Sequence, residues 1–259
     1  GGGLLRKLFM YRFEKGEGIR GMTFGNLFMA ALSDILGSQQ EAIRQTGKVL
    51  RIHGTVIPVS FTDTNLFATY EDGHTVSEEH LIDEPVHDGR MRITNVFLKP
   101  VARANADAVK AIESADLIIL GPGDLYTSVI PNLLVKGIST AIQRSKANVA
   151  YVVNLMTKYG QTYNFGASEH VRVLSEFIGH SIDSVIINNA PIPKKALDVY
   201  AKAHEQAVSD DIPKHTHYRV IREDVAGTRL IKQAKSDTLV RSLIRHDSEK
   251  LAKVLAALV

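Results

Sequence analysis

The sequence predicts an α/β protein with a mostly parallel sheet, helices on both faces and a strand-rich antiparallel insertion. From residue 104 onward, short aliphatic runs alternate with amphipathic helical patterns, which is typical of parallel strands joined by right-handed crossovers. Between residues 55 and 100 the pattern changes to strands with hairpin turns. The 259 residues, of which 44% are hydrophobic and 23% charged, allow a single domain with a large core over residues 1–259.

Helices are expected in the first fifty residues. Apolar residues recur at helical spacing in residues 4–13, and a strongly apolar helix follows Thr23 and ends at Gly37. Ser38 and Glu41 form a capping-box pair, so a further helix is expected to start there.

The middle third of the chain is an insertion rich in strands. Glu71-Asp72-Gly73 lies between two runs with strand character and is a hairpin signal. Pro58 marks the first strand as an edge or a bulge, because proline has no N–H to donate. Such an insertion forms a lid or specificity wall, or simply extends the sheet. Its strands are expected over residues 55–60, 65–70, 74–78 and 92–98.

The second half of the chain alternates between helices and strands. Ser168 is the expected N-cap of one helix, and the last helical segment is interrupted near His246-Asp247. Helices are expected over residues 104–114, from the turn after residue 123 to about 145, and over 167–179, 194–208 and 235–259. Strands are expected over residues 116–120, 148–155, 183–189 and 217–221.

A glycine turn follows the first of these strands and is the strongest local signal for a site. The aliphatic run Leu117–Leu120 leads into Gly121-Pro122-Gly123, and Asp124, Thr127 and Ser128 are good helix-start residues. A strand, a glycine turn and a helix start together favour a phosphate site, since free N–H groups and the helix dipole attract anions. The alternative is an ordinary strand-to-helix turn with a cap.

Two further strand ends carry polar residues. Asn154 and Thr157 lie in the loop after the strand at 148–155, and Asn188 ends the strand at 183–189. Ligands of open α/β sheets bind at the carboxyl ends of strands. If these ends face one crevice with Gly121, that crevice is the ligand site.

Composition excludes several classes of function. The net charge of +3 is too weak to predict nucleic-acid binding, and the absence of cysteine excludes disulfides and Cys-based zinc or redox chemistry. No apolar stretch approaches 18 residues, so no membrane span is expected, and a cytoplasmic protein is predicted. The ten histidines show no ligand spacing and no paired carboxylates stand out, so no metal ligand and no general base is assigned.

Four motifs resemble a known family. The strings GNLFMAAL (25–32), LGPGDLYTSVIPNLLV (120–135), NLMTKYGQT (154–162) and RHDSEKLA (245–252) are similar to those of YvcK-type gluconeogenesis factors, a branch of the CofD-like superfamily. The resemblance implies a Rossmann-like fold that binds nucleotide sugars, notably UDP-N-acetylglucosamine, in proteins needed for cell shape and gluconeogenic growth. The resemblance to CofD itself implies a different activity, that of a magnesium-dependent 2-phospho-L-lactate transferase with a deazaflavin acceptor.

The chain departs from the family pattern at several positions. Met22 replaces a histidine, Asp124 a serine and Gln161 an acid. Only Gly1–Gly3 matches the start of the family's GGGTG loop, so the following Asp-Asp segment is expected in the full protein but not in this sequence. These differences bear on the ligand more than on the fold.

For several of the residues expected to contact a ligand, a purely structural role is the alternative. Gly25 and Asn26 contact a ligand or form a closely packed helix entry; Asn154 and Thr157 contact it or brace their loop. Asp124 holds a metal ion or favours the helix dipole. The residues expected to contact the nucleotide are Gly25, Asn26, Gly121, Gly123, Asp124, Tyr126, Thr127, Ser128, Asn154, Thr157 and Asn188.

Two main hypotheses of function follow. The first is a nucleotide-sugar-binding regulatory protein, because no catalytic constellation is readable. The second is a CofD-like transferase that moves a phospholactyl-type group from a nucleotide diphosphate, with Mg²⁺ as the one cofactor left open. A dinucleotide-binding protein ranks last, since no acidic ribose-binding residue has the expected spacing. Either main hypothesis allows a homodimer, through the C-terminal helix.

Overall fold

In a computed structural model, residues 2–228 and 243–259 are described. They fall into two compact units, the first containing residues 2–58 and the second containing residues 59–228 and 243–259. Each unit is described below by itself.

The first unit is helical, as the apolar spacing predicts. It contains α1 (Gly2–Phe9), α2 (Phe24–Leu36) and α3 (Gln39–Leu50). The Thr23 hydroxyl caps α2, and the predicted Ser38 cap accepts a hydrogen bond of 3.2 Å from the Glu41 N–H. α1 is shorter than the 4–13 segment expected, and its Phe9 ring packs on Phe28 of α2 at 5.0 Å.

The insertion builds an antiparallel sheet of its own. Its strands are β1 (Asn65–Tyr70), β2 (Thr75–Ser77) and β3 (Ile93–Lys99), in the order β2-β1-β3, with the short helix α4 (Glu79–Asp83) after β2. The predicted hairpin is confirmed, since the chain turns at Glu71–Gly73 and Thr69 pairs with Thr75. The insertion therefore does not extend the parallel sheet.

The strand expected over residues 55–60 is wrong. No strand is assigned to this segment. Pro58 at its centre has no N–H for a ladder, and the Val59 carbonyl accepts a hydrogen bond of 2.8 Å from Asn105 N–H, before the next helix.

The parallel sheet has the strand order β4-β5-β6-β7. These strands are β4 (Leu117–Leu120), β5 (Asn148–Val152), β6 (Ser184–Asn188) and β7 (Arg219–Glu223). All three pairings are parallel, as the strand and helix alternation predicts. The helical elements of this part are α5 (Ala106–Glu113), a π-helical turn (Leu125–Val129), α6 (Ile130–Leu134), α7 (Ile138–Arg144), α8 (Ala167–Ile178), α9 (Lys194–Lys202) and α10 (Ser248–Ala256).

The core lies against the two central strands. Ala150, Val152 and Ile186 are fully buried and pack with Val225 and with Leu251 of α10. Strands buried in this way read as unbroken apolar runs, which is why β5 and β6 were recognisable in the sequence.

Three helix predictions are corrected by the structure. The helix expected from the glycine turn to residue 145 is broken between α6 and α7, where Gly137 has a φ of 110°. The helix expected over 194–208 ends at Lys202, shortly before His204 with its left-handed φ of 59°. Ser168 is not the N-cap of α8, because Gly166 occupies that position and Ser168 instead donates to Asp211.

The C-terminal prediction is tested in part. Residues 235–242 lie outside the described residues, whereas α10 begins directly after Asp247. The Asp247 carboxylate caps this helix by accepting hydrogen bonds of 3.0 Å from Glu249 N–H and Lys250 N–H. The interruption that the sequence predicts near His246-Asp247 therefore corresponds to the start of α10.

The burial of His170 predicts that the stability of the protein depends on pH. Its side chain is fully buried, its Nδ1 lies 2.8 Å from the Gly166 carbonyl oxygen, and its Nε2 has no hydrogen-bond partner. Burial lowers the pKa of His170, although Gly166, Asp211 and Glu169 act in the opposite direction. Below about pH 6.5 the unfolded chain therefore binds a proton that the folded chain does not, so stability falls as the pH falls.

We expect His170→Gln to weaken this pH dependence. Chemical denaturation at pH 7.5 and pH 5 should show a smaller loss of unfolding free energy in the variant than in the wild type. His87 and His246 also have pKa values lowered mainly by burial and keep part of the effect. His215→Gln, at an exposed position, is the control and should leave the wild-type slope unchanged. Equal slopes in all three proteins would contradict the assignment.

Candidate functional site

The carboxyl ends of three neighbouring strands lie at one edge of the parallel sheet. Leu120 pairs with Tyr151 and Val152 pairs with Ile186. The residues that follow these strands therefore belong to one edge, as expected, and they include Gly121, Asn154 and Asn188.

The glycine turn after β4 requires glycine at position 121 and is closely packed at position 123. Gly121 has a φ of 76°, and a Cβ there would lie 3.2 Å from the Val152 carbonyl oxygen. A Cβ on Gly123 would lie 3.1 Å from the Ser128 Cβ. The turn leads into the π-helical turn, where the N–H groups of Ser128 and Val129 both donate to the Asp124 carbonyl. These two N–H groups are thus used within the turn, while the Ser128 side chain is exposed.

Thr127 belongs to a polar triad with two residues from distant parts of the chain. Its hydroxyl donates a hydrogen bond of 2.9 Å to Asp83 Oδ1 of α4, and Gln161 Nε2 donates one of 2.5 Å to the same oxygen. Thr127 is 7% exposed and Gln161 2% exposed. The triad thus links the insertion to the turn after β4 and to the loop after β5. Gln161 Oε1 has no hydrogen-bond partner.

Carboxylates surround the glycine turn. Burial raises the pKa of Asp124, with Asp83 acting in the same direction and Lys158 against it. Burial also raises the pKa of Glu205, whose carboxylate lies 3.7 Å from the Lys158 ammonium and accepts a hydrogen bond from the Tyr159 N–H. Acids therefore outnumber bases here, and Asp124 makes no side-chain capping bond.

Tyr126 is placed in the protein interior. It is 4% exposed, and burial raises the pKa of its phenol. The charges that act on it are those of four residues linked by ion pairs, namely Arg172, Glu169, Glu176 and Arg92. This placement favours a packing role over a ligand contact.

Thr157 and Asn188 brace their loops. The Thr157 hydroxyl accepts a hydrogen bond of 3.0 Å from Gln206 N–H, while Thr157 N–H donates to the Gln206 carbonyl. Asn188 donates to the Ala190 carbonyl at 2.7 Å and accepts from Val225 N–H at 3.2 Å. The bracing alternative accounts for both side chains without a ligand.

Asn154 lies at a cavity of about 290 Å³ beside these strand ends. The walls are mostly aliphatic and come from the ends of β5 and β6, the following loops and α9. Asn154 Oδ1 is buried and accepts no hydrogen bond. The lining residues are Asn154, Leu155, Ile187, Asn188, Ala190, Pro191, Ile192, Leu197, Ala207 and Val208.

Gly25 and Asn26 belong to the first unit, in the first turn of α2. A Cβ on Gly25 would lie 3.0 Å from the Phe9 carbonyl oxygen, so glycine allows α1 to approach α2 closely. Asn26 is exposed, and its N–H donates to the Thr23 cap. Close helix packing, one of the two alternatives, explains the glycine.

Sequence reasoning did not assign Asp83, Lys158, Gln161 and Glu205 to the site. Lys158 and Gln161 lie in the NLMTKYGQT motif, so their position gave a signal that could have been used. Asp83 and Glu205 come from an insertion helix and from the segment after α9, and no local pattern distinguishes them.

Two features are absent from the residues that the structure describes. Within residues 2–228 and 243–259, no group of three or more His, Asp or Glu side chains is arranged to hold a metal ion. Among the helices of the same residues, none is long and apolar enough to cross a membrane.

Comparison with known proteins places the chain in a family. The family model described as 2-phospho-L-lactate transferase CofD matches residues 3–226. The chain belongs to the CofD family. Within it, the chain is similar to a putative gluconeogenesis factor of Aquifex aeolicus, 37% identical over 97% of this chain and 74% of that protein. It is also 35% identical to the gluconeogenesis factor of Bacillus subtilis, over 99% of this chain and 77% of the relative.

A solved structure agrees with the fold. A UPF0052 family member from Bacillus halodurans superposes with a TM-score of 0.85 at 32% identity, covering 98% of this chain and 77% of that one. The predicted resemblance to gluconeogenesis factors in the CofD-like superfamily and the α/β fold class are thus confirmed.

Proposed function

We propose that this CofD family member is a cytosolic nucleotide-sugar-binding regulatory factor, with a UDP-N-acetylglucosamine-like ligand, that serves gluconeogenic growth and cell shape. The observation that carries the proposal is the sheet edge at which a glycine turn and an aliphatic cavity with an unpaired Asn154 occur together. Ligands of parallel α/β sheets bind at this edge. The names of the relatives, which are gluconeogenesis factors, support the role in gluconeogenic growth, whereas the role in cell shape rests on the resemblance alone.

The diphosphate of such a ligand belongs at the glycine turn. Gly121 and Gly123 leave no side chain between the backbone and a phosphate, and Ser128 adds an exposed hydroxyl. Lys158 supplies an ammonium in the same region, where Glu205 already holds it at 3.7 Å.

The transferase alternative is favoured by one observation, the half-buried Asp124 beside the turn. Magnesium is commonly held by one or two carboxylates together with substrate phosphates. Asp124 fits that role, since its carboxylate makes no capping bond and burial and Asp83 raise its pKa. A bound Mg²⁺ would screen the phosphates from the surrounding acids, and the turn would orient the diphosphate.

Calorimetry with UDP-N-acetylglucosamine, GDP and NAD, with and without Mg²⁺, tests the proposal. We expect selective binding of the UDP-sugar. If GDP binds only with Mg²⁺, the transferase alternative is favoured, and if none of the three binds, the proposal is wrong.

A variant that fills the cavity should remove this binding. We expect Leu197→Trp to weaken UDP-N-acetylglucosamine at least about 10-fold, because an indole occupies space that the ligand needs. Val199→Trp places the same side chain on the same helix at a position 46% exposed and is the matched control. Thermal melts check that both variants fold. Equal affinities of the two variants would contradict the location of the site.

A further inference from the structure

A largely buried lysine interacts with two carboxylates beside the glycine turn. The Lys158 ammonium lies 3.7 Å from Glu205 Oε1, and 15% of the lysine side chain and 8% of the glutamate side chain are exposed. Burial raises the pKa values of Glu205 and Asp124, and the Lys158 charge opposes that effect at both carboxyls. Since Asp124 directly follows Gly123, the lysine acts on the turn as well as on Glu205.

Hydrogen bonds hold the loop of Lys158 beside the turn independently of this ion pair. The Lys158 carbonyl accepts a hydrogen bond of 3.1 Å from Gln161 N–H, so the two residues lie within one tight turn of chain. The Gln161 side chain shares the Asp83 acceptor with Thr127, which belongs to the π-helical turn after Gly123. The backbone at Lys158 therefore stays near the glycine turn when the partner of the ammonium changes.

Glu205 is fixed by contacts of its own. Glu205 Oε1 accepts a hydrogen bond of 3.3 Å from Tyr159 N–H. The next residue, Gln206, donates its N–H to the Thr157 hydroxyl at 3.0 Å and accepts from Thr157 N–H at 2.7 Å. The ammonium of Lys158, by contrast, is carried on a flexible four-carbon stem. The lysine can therefore exchange partners while the glutamate keeps its position.

We infer that Lys158 binds a phosphate of the ligand and that Glu205 is a competing partner, which holds the ammonium until the phosphate displaces it. The inference rests on the proposed function and adds the residue that contacts the diphosphate and the residue that limits its affinity. An ammonium donates charge-assisted hydrogen bonds to phosphate oxygens. A carboxylate close to the same phosphate repels it. Glu205 therefore weakens binding both by its own charge and by its contact with Lys158.

Breaking this ion pair from its two sides should change the affinity for UDP in opposite directions. Glu205→Gln keeps an acceptor for Tyr159 N–H but removes a negative charge and releases the ammonium, so UDP should bind at least about 5-fold more tightly. Lys158→Gln removes the cation and leaves Glu205 charged, so UDP should bind at least about 10-fold more weakly. Calorimetry with EDTA present measures both changes without a divalent cation. Pyrophosphate, which has no base, is the second probe and should show changes of the same sign.

The same substitutions at the other edge of the sheet are the matched controls. Lys110 and Glu113 are exposed residues of α5, the helix that precedes the amino end of β4. Lys110→Gln and Glu113→Gln should leave the affinity for UDP within about 2-fold of the wild type, because solvent screens charges at that distance. Thermal melts check the folding of all variants. If Glu205→Gln does not fold, Glu205→Asp withdraws the carboxylate by one methylene and should also tighten the binding of UDP.

The outcomes separate this inference from the proposed function. A purely structural ion pair would weaken UDP binding when either partner is replaced. If the wild type binds UDP-N-acetylglucosamine and the changes at Lys158 and Glu205 are not opposite in sign, the inference is overturned and the function stands. If the wild type binds neither UDP nor its sugar, both are overturned. Opposite changes at these two residues, with unchanged affinities in the α5 controls, support the assignment.

Discussion

Shortening Ile186 to alanine should lower the free energy of unfolding by about 2–5 kcal/mol. Ile186 lies in the central strand β6, is fully buried, and packs with Ala150, Val152, Val225 and Leu251. The substitution removes buried methyl and methylene groups and leaves a cavity that strands paired on both sides cannot close. Urea denaturation followed by circular dichroism measures the loss.

Ile119→Ala is the control for this prediction. Ile119 lies in β4 of the same sheet, but its side chain is 42% exposed. Less apolar surface is removed from contact there, so the cost should stay below about 1 kcal/mol. Similar losses at Ile119 and Ile186 would mean that the core does not lie where the packing places it.

Replacing Asp83 by alanine should destabilise the protein by about 2–4 kcal/mol, through the loss of a shared acceptor. The Thr127 hydroxyl and the Gln161 amide both donate to Asp83 Oδ1, and both side chains are buried. Without the carboxylate both buried donors lose their shared acceptor, and the Gln161 amide keeps only a long contact of 3.4 Å with the Thr127 hydroxyl. The loop that carries Gln161 should then loosen, so trypsin should cleave after Lys158 faster than in the wild type.

Two substitutions separate this effect from a general loss of charge. Asp83→Asn keeps an acceptor oxygen and should cost less than half as much as Asp83→Ala. Asp88→Ala removes an exposed carboxylate of the same insertion, and its solvent-screened ion pair with Arg90 is expected to contribute little to stability. A cost for Asp83→Ala no larger than that for Asp88→Ala would contradict the triad.

Local patterns predicted the elements whose cause is local. The aliphatic run before Gly121 predicted β4 and its glycine turn, and Glu71-Asp72-Gly73 predicted the hairpin. The prediction failed where a partner far along the chain decides the outcome. Ser168 has the chemistry of a cap, yet it bonds Asp211, 43 residues away. Pro58 allowed an edge strand, but no strand forms beside it.

The candidate site also has features that the sequence predicted and features that depend on distant parts of the chain. The sequence indicated that three strand ends would present Gly121, Asn154 and Asn188, because parallel strands share one carboxyl edge. It could not show that the Asn188 amide is used by backbone groups while the Asn154 oxygen lacks a partner. That difference depends on which loops pack beside each strand end.

The sequence by itself determined the class of the fold, the family and the edge of the sheet where we propose that a ligand binds. These depend on periodicity and short motifs, which are properties of neighbouring residues. Only the tertiary structure decided that Asp83 bonds Gln161, 78 residues away, and that mostly aliphatic side chains line a cavity beside Asn154. Hydrogen bonds and cavities form between segments that folding brings together, so their geometry depends on the packing of the whole unit and not on any one stretch of chain.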